Sequence, residues 1–252
     1  MIKYFIFSFL LLFVIPSVYA EVTIQNDQYY VGDDGSFHVV GEIQNNLNSP
    51  INQASISATL YDEEKNPVIS KETRSLVNTI MPEMKGPFDI IFAGINQDQI
   101  KSYSLEFDYS ISEPKGQVID ITSSELSRDS HNNLIISGNV ENNGEITANT
   151  VAVIATLYDR DGNVVAVSRT HPEPDYLGSA DDTFFVVTVL DKNQNSEITD
   201  YSVIAESEEY AAVPEFPVGS MILLVILVSA YVGITRYSNR IITNLISATN
   251  LR

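Results

Sequence analysis

The 252-residue chain carries 33 acidic against 14 basic residues, a formal net charge of −19, and no cysteine. A surface this acidic repels phosphate backbones, so nucleic acid is not expected as a partner, and the missing thiols exclude disulfides, cysteine nucleophiles and iron–sulfur or thiolate zinc sites. The length suffices for two domains of roughly 100 residues, each of which must be stabilised by its own core.

At the N-terminus, Lys3 precedes an apolar run over residues 4–15, followed by Pro16 and by Val18-Tyr19-Ala20. A short apolar segment ending in a small residue predicts a secretory signal peptide over 1–20. A first β-sandwich is then expected over 21–112. Its strands are separated by turn-forming clusters at Asp33-Asp34-Gly35, Asn48-Ser49-Pro50 and Asn66-Pro67. Ile56, Ala58 and Leu60 fall at alternate positions, the period that puts one row of a strand into a core and leaves the other row wetter. Pro114 and Gly116 mark a linker over 113–117, and a second sandwich is expected over 118–210.

The second segment repeats the first. At an offset of 97, Gly41 matches Gly138, and Asn45 and Asn46 match Asn142 and Asn143. The string Ala58-Thr59-Leu60-Tyr61-Asp62 returns as Ala155-Thr156-Leu157-Tyr158-Asp159, and Phe88 aligns with Phe185. After one inserted residue, Ile100 and Tyr103 align with Ile198 and Tyr201. Leu60 and Leu157 are placed in the core and Tyr61 and Tyr158 on the opposite face, while Asp62 and Asp159 open hairpins in which a carboxylate can accept from turn amides. Short strands without helical periodicity indicate an all-β chain of two tandem sandwiches.

Near the C-terminus, residues 218–235 form an uncharged stretch. As a helix it would rise about 27 Å, enough for one transmembrane span. Arg236 and Arg240 follow it, which places the tail, 236–252, in the cytoplasm and the acidic domains outside. Residues 211–217, containing Pro214-Glu215-Phe216, form the juxtamembrane linker.

The repeated Leu-Tyr-Asp with its upstream Gly and Asn resembles the FxLYD domain, with Ala58 and Ala155 standing where that family usually has Phe. The resemblance implies a small immunoglobulin-like sandwich in an exported or surface protein, and it carries over no catalytic residue. Pro214-Glu215-Phe216 before the apolar stretch, with Arg236 and Arg240 after it, resembles the C-terminal sorting signals of archaeal surface proteins. That likeness implies recognition by a membrane transpeptidase.

Candidate chemistry is sparse. Asp159, Asp161 and Asn163 alternate around Gly162 and could begin a calcium loop. The position where such a loop needs a bidentate Glu is Thr170, however, so a hairpin turn is favoured. Asp191, Asn193 and Asn195 fail similarly, with Ser202 in that place. His38, His131 and His171 have no companion at metal-ligand spacing. Neither a nucleophile elbow nor a zinc-protease helix is present. No cofactor and no enzymatic activity are therefore expected. The chain reads as a membrane-anchored surface protein presenting two sandwich modules for structural, adhesive or protein-binding roles. The alternatives are an accessory subunit of a membrane transport or respiratory complex, and a weak calcium-dependent binding module. The partner would be another surface or membrane protein, met through loops at 33–36 and 79–86 expected together at one end of the first module.

Overall fold

The computed structural model describes residues 21–131, 133–189, 191, 198–213, 229, 231 and 232. Among the described residues thirteen strands follow in order: β1 Val22–Val31, β2 Phe37–Asn45, β3 Ile51–Tyr61, β4 Pro67–Arg74, β5 Thr79–Ile80, β6 Lys85–Phe92, β7 Ser102–Ile111, β8 Ile119–Arg128, β9 Leu134–Asn142, β10 Ala152–Tyr158, β11 Val164–Thr170, β12 Asp182–Val189 and β13 Asp200–Glu206. A short 3-10 turn, Gln97–Gln99, precedes β7. The expected signal peptide lies outside the described residues. So does the expected span over 218–235, apart from residues 229, 231 and 232, which are helical. Among the described residues no helix is long and apolar enough to cross a membrane.

The protein is all-β and sandwich-like. Its sheets run β1-β2-β6, β4-β3-β5 with β7 also on β3, β12-β9-β8 and β11-β10-β13. Two compact units result. The first takes the described part of Met1–Gly116 together with Thr156–Val167 and Val189–Asp200, and the second takes Gln117–Ala155, Ser168–Thr188 and the described residues from Tyr201 onward.

The sequence repeat is also a repeat of hydrogen bonds. In the first unit the fully buried Asn45 donates through Nδ2 to the carbonyls of Ser49 (3.0 Å) and Ile80 (2.9 Å), and its Oδ1 accepts from Leu47 N (3.0 Å). In the second unit Asn142 donates to Ile146 O and Leu177 O, both at 2.9 Å, and accepts from Gly144 N at 2.9 Å. Each partner is shifted by the same 97 positions. The backbone matches too: Glu83 N bonds Asn45 O as Ala180 N bonds Asn142 O, and Glu83 and Ala180 both have positive φ, at 65° and 62°. A buried amide that satisfies its donors and its acceptor fixes the geometry of a loop that could not otherwise pair its own backbone.

Gly41 and Gly138 explain their own recurrence. A Cβ at Gly41 would lie 2.8 Å from the Phe88 ring, and one at Gly138 would meet the Ser123 carbonyl and the Phe185 ring. Each glycine lets the ring of an aromatic core residue approach β2 or β9 closely.

Alternation holds on β3 and on β9, where Leu134, Ile136 and Val140 are buried between less buried neighbours. It fails on β2, all nine of whose residues are buried, and on β10, where Ile154 and Thr156 are as covered as Val153, Ala155 and Leu157. The face of β2 bearing His38, Val40, Glu42 and Gln44 is thus interior, despite three polar side chains.

The loops at 33–36 and 79–86 do not share one end of the first unit. Phe37 pairs with Phe92 and Gln44 with Lys85, so one loop precedes the start of β2 and the other adjoins its end. At strand rise the two lie roughly 25 Å apart.

Candidate functional site

Asp159 opens the turn between β10 and β11. Its Oδ1 accepts from Asp161 N (2.9 Å) and Asn163 N (2.8 Å), and its Oδ2 accepts from Asn163 Nδ2 (3.1 Å). Asp62 makes the same set with Glu64 N, Asn66 N and Asn66 Nδ2. A third copy, Asp129 with His131 N, Asn133 N and Asn133 Nδ2, joins β8 to β9 and was not singled out from the sequence. Its signal was available as the spacing Asp-x-x-x-Asn, common to all three. Hydrogen bonds from the Asn partner hold the carboxyls of Asp62 and Asp129 below the usual range. At Asp159 partial burial opposes the charge, but the bonds from Asn163, Asp161 and Gly162 outweigh it and the pKa is again lowered. The two carboxylate oxygens of Asp159 are therefore committed to the turn's own donors. Among the described residues no group of three or more His, Cys, Asp or Glu could hold a metal ion.

The motif leucines and alanines, Leu60, Leu157, Ala58 and Ala155, are fully buried. The motif tyrosines differ. Tyr61 reaches Ser104 Oγ at 3.1 Å at the surface, whereas Tyr158 donates to Glu42 Oε1 at 2.6 Å. Glu42 is only 1% exposed. Its Oε2 accepts from Lys85 Nζ at 2.8 Å and from Asn26 Nδ2 at 3.0 Å, so both oxygens of the buried carboxylate face donors. Lys85 Nζ also stands 5.7 Å from the centre of the Tyr158 ring. Above this cluster, still within the first unit, lies an open polar cleft of about 560 Å³ lined by Asn26, Lys85, Tyr158, Asp159, Asp161 and Asp200 among others.

At the opposite end of β2 a second polar cluster is buried. His38 Nδ1 lies 2.9 Å from Asp89 Oδ2, and its Nε2 lies 2.7 Å from Ser36 Oγ. These are the residue types of a hydrolytic triad, and no sequence motif announced them. The proton bookkeeping differs, however. Ser36 Oγ donates to Asp34 Oδ1 at 2.5 Å, so it presents lone pairs, not a proton, to the imidazole. Both ring nitrogens then face acceptors, an arrangement that favours the imidazolium. Burial works against that charge, but the Asp89 hydrogen bond and the carboxylates of Asp89, Asp191 and Asp34 overcome it and raise the pKa. The Tyr30 ring stacks on His38 at 4.6 Å and its hydroxyl donates to Asp191 Oδ2 at 3.1 Å. Burial and the nearby Asp89 and Asp191 raise the Tyr30 phenol above its ordinary value. A nucleophile activated by histidine must hand its proton to the ring. Ser36, itself 4% exposed, is not arranged to do so.

His131 lies in the Asp129 turn, and His171 Nδ1 contacts Val151 O at 2.7 Å. Asn193, Asn195, Pro214, Glu215, Phe216, Arg236 and Arg240 lie outside the described residues.

No family model matches the chain, and no curated protein matches it. Among solved structures, it is similar to an exo-chitosanase from Amycolatopsis orientalis, at TM-score 0.28 and 11% identity over 78% of this chain and 26% of the other. A transglutaminase from red sea bream gives 0.25 and 8% over 76% and 29%. A mutant of Bacteroides uniformis beta-glucuronidase 2 gives 0.25 and 13% over 75% and 27%. The chain spans about a quarter of the length of each, and likenesses this distant assign it neither an activity nor a family.

Proposed function

We propose that the chain is a non-catalytic cell-surface protein that displays two immunoglobulin-like modules of the FxLYD type above a membrane. A single helix over 218–235 anchors it, and the sorting-type segment Pro214-Glu215-Phe216 precedes that helix. The observation carrying this reading is the asparagine-centred framework reproduced 97 residues on. One module is used twice, and each copy is closed by side-chain amides and apolar packing. Such modules need no disulfide or metal, which suits a chain without cysteine in an external compartment. The acidic exterior keeps the display soluble and self-repelling. The open cleft over Lys85 and Tyr158 is a polar surface suited to a partner protein at the cell surface.

The test is protease treatment of intact cells, followed by detection with one antibody to residues 21–210 and another to the tail. Loss of the first epitope with retention of the second is expected. Full protection of the first epitope on intact cells, with cleavage only after lysis, would contradict surface display.

A further inference from the structure

Asn26, Glu42 and Lys85 sit on three neighbouring strands, in the sheet order β1-β2-β6. Asn26 lies in the irregularity of β1 where the register slips between Gln25, opposite Glu42, and Gln28, opposite Val40. Lys85 pairs with Gln44, two residues along from Glu42, and so shares the face of β2 that carries the carboxylate. One buried oxygen, Glu42 Oε2, accepts from both Lys85 Nζ and Asn26 Nδ2. Tyr158 holds the other oxygen and fixes the carboxylate's orientation.

This trio is not something the module needs in order to fold. In the second unit the equivalent positions, 97 residues on, are Ser123, Asn139 and Asp182, and the same strands form around them. An amine, a primary carboxamide and a buried carboxylate touching both nitrogens are together the complete set for amide exchange. We propose that Lys85 and Asn26 form an intramolecular isopeptide bond, with Glu42 as the proton relay.

The step balances with no co-reactant. Lys85 gives a proton to Glu42 Oε2, and the neutral Nζ attacks Asn26 Cγ. Through Oε2 the protons leaving Nζ reach Nδ2, the Cγ–Nδ2 bond breaks, and ammonia departs as ammonium. The charge of the lysine leaves with it, and Glu42 ends as the carboxylate it began as. The carboxylate thus contacts both the atom that must lose protons and the atom that must gain them. The open cleft, which both Asn26 and Lys85 line, is the exit for ammonia. The product ties β1 to β6 across β2, a covalent staple in a chain without cysteine.

The full chain, purified and held for several days near neutral pH, is digested and mapped by mass spectrometry. Expected is a branched peptide joining the segment containing Asn26 to that containing Lys85, lighter by one ammonia, about 17 Da. Glu42→Gln, Asn26→Ala and Lys85→Arg should each give only the linear peptides. Linear wild-type peptides throughout would overturn the proposal, as would Asn26 converted to Asp without a branch, and the wild-type map decides even if a variant misfolds. Persistence of the branch in Glu42→Gln would overturn the relay.

Discussion

Tyr61 and Tyr158 occupy equivalent positions in the two copies of the repeat, yet Tyr61 meets Ser104 at the surface while Tyr158 donates to the buried carboxylate of Glu42. The same motif residue is therefore peripheral in one copy and a structural bond in the other. Tyr158→Phe leaves Glu42 Oε1 without its donor inside the first unit, which costs about 1–3 kcal/mol. Tyr61→Phe should stay within about 0.5 kcal/mol of wild type. Urea unfolding of the two variants, compared with wild type, reads the difference; equal effects would show that Glu42 does not depend on Tyr158.

The buried asparagines should behave alike. Asn45→Ala and Asn142→Ala each strip two or more backbone carbonyls and one amide of their partner, and each should lose on the order of 3 kcal/mol. Denaturant midpoints check this. A loss in one copy only would mean that the matching hydrogen bonds do not carry matching weight.

Stability should fall on both sides of a middle pH range. His38 has a raised pKa when folded, so its contribution is complete below the unfolded value of about 6.5 and is lost as pH rises through the folded value. The groups facing it, Asp34, Asp89, Asp191 and the Tyr30 phenol, make the imidazolium the favoured partner. Asp62, Asp129 and Asp159 have lowered pKa values, so what they contribute is present above about 3.9 and disappears as pH falls through their folded values. Thermal unfolding from pH 3 to 9 measures both limbs, and His38→Gln should flatten the alkaline one. An unchanged alkaline limb in that variant would refute the assignment.

Calcium should matter little to the turn at Asp159. Its oxygens already accept from Asp161 N, Asn163 N and Asn163 Nδ2, and a cation would have to displace these bonds. Addition of millimolar calcium or of a chelator is expected to leave the melting temperature unchanged; a calcium-dependent rise abolished by Asp159→Ala would contradict this.

The repeat and the strand class were legible because the string around Leu60-Tyr61-Asp62 and Leu157-Tyr158-Asp159 preserves both order and period. The interior face of β2 was not. His38, Glu42 and Gln44 alternate with Val39, Gly41 and Ile43 as a solvent-facing row would, and only distant residues such as Tyr158 and Asp89 make that row interior. For the same reason Ser36, His38 and Asp89 could not be grouped: Asp89 stands 51 positions from His38 and is brought beside it by pairing of β2 with β6. The placement of loops 33–36 and 79–86 failed on register, since strand order cannot be inferred from turn residues alone.

Two copies of one module, each with its loop held by a buried asparagine, make up the fold. Amide hydrogen exchange on the full chain, with chelator and reductant present, tests it most directly. Peptides covering Phe37–Asn45 and Leu134–Asn142 should both remain protected for hours, whereas exchange of either at the rate of an unstructured segment would contradict it.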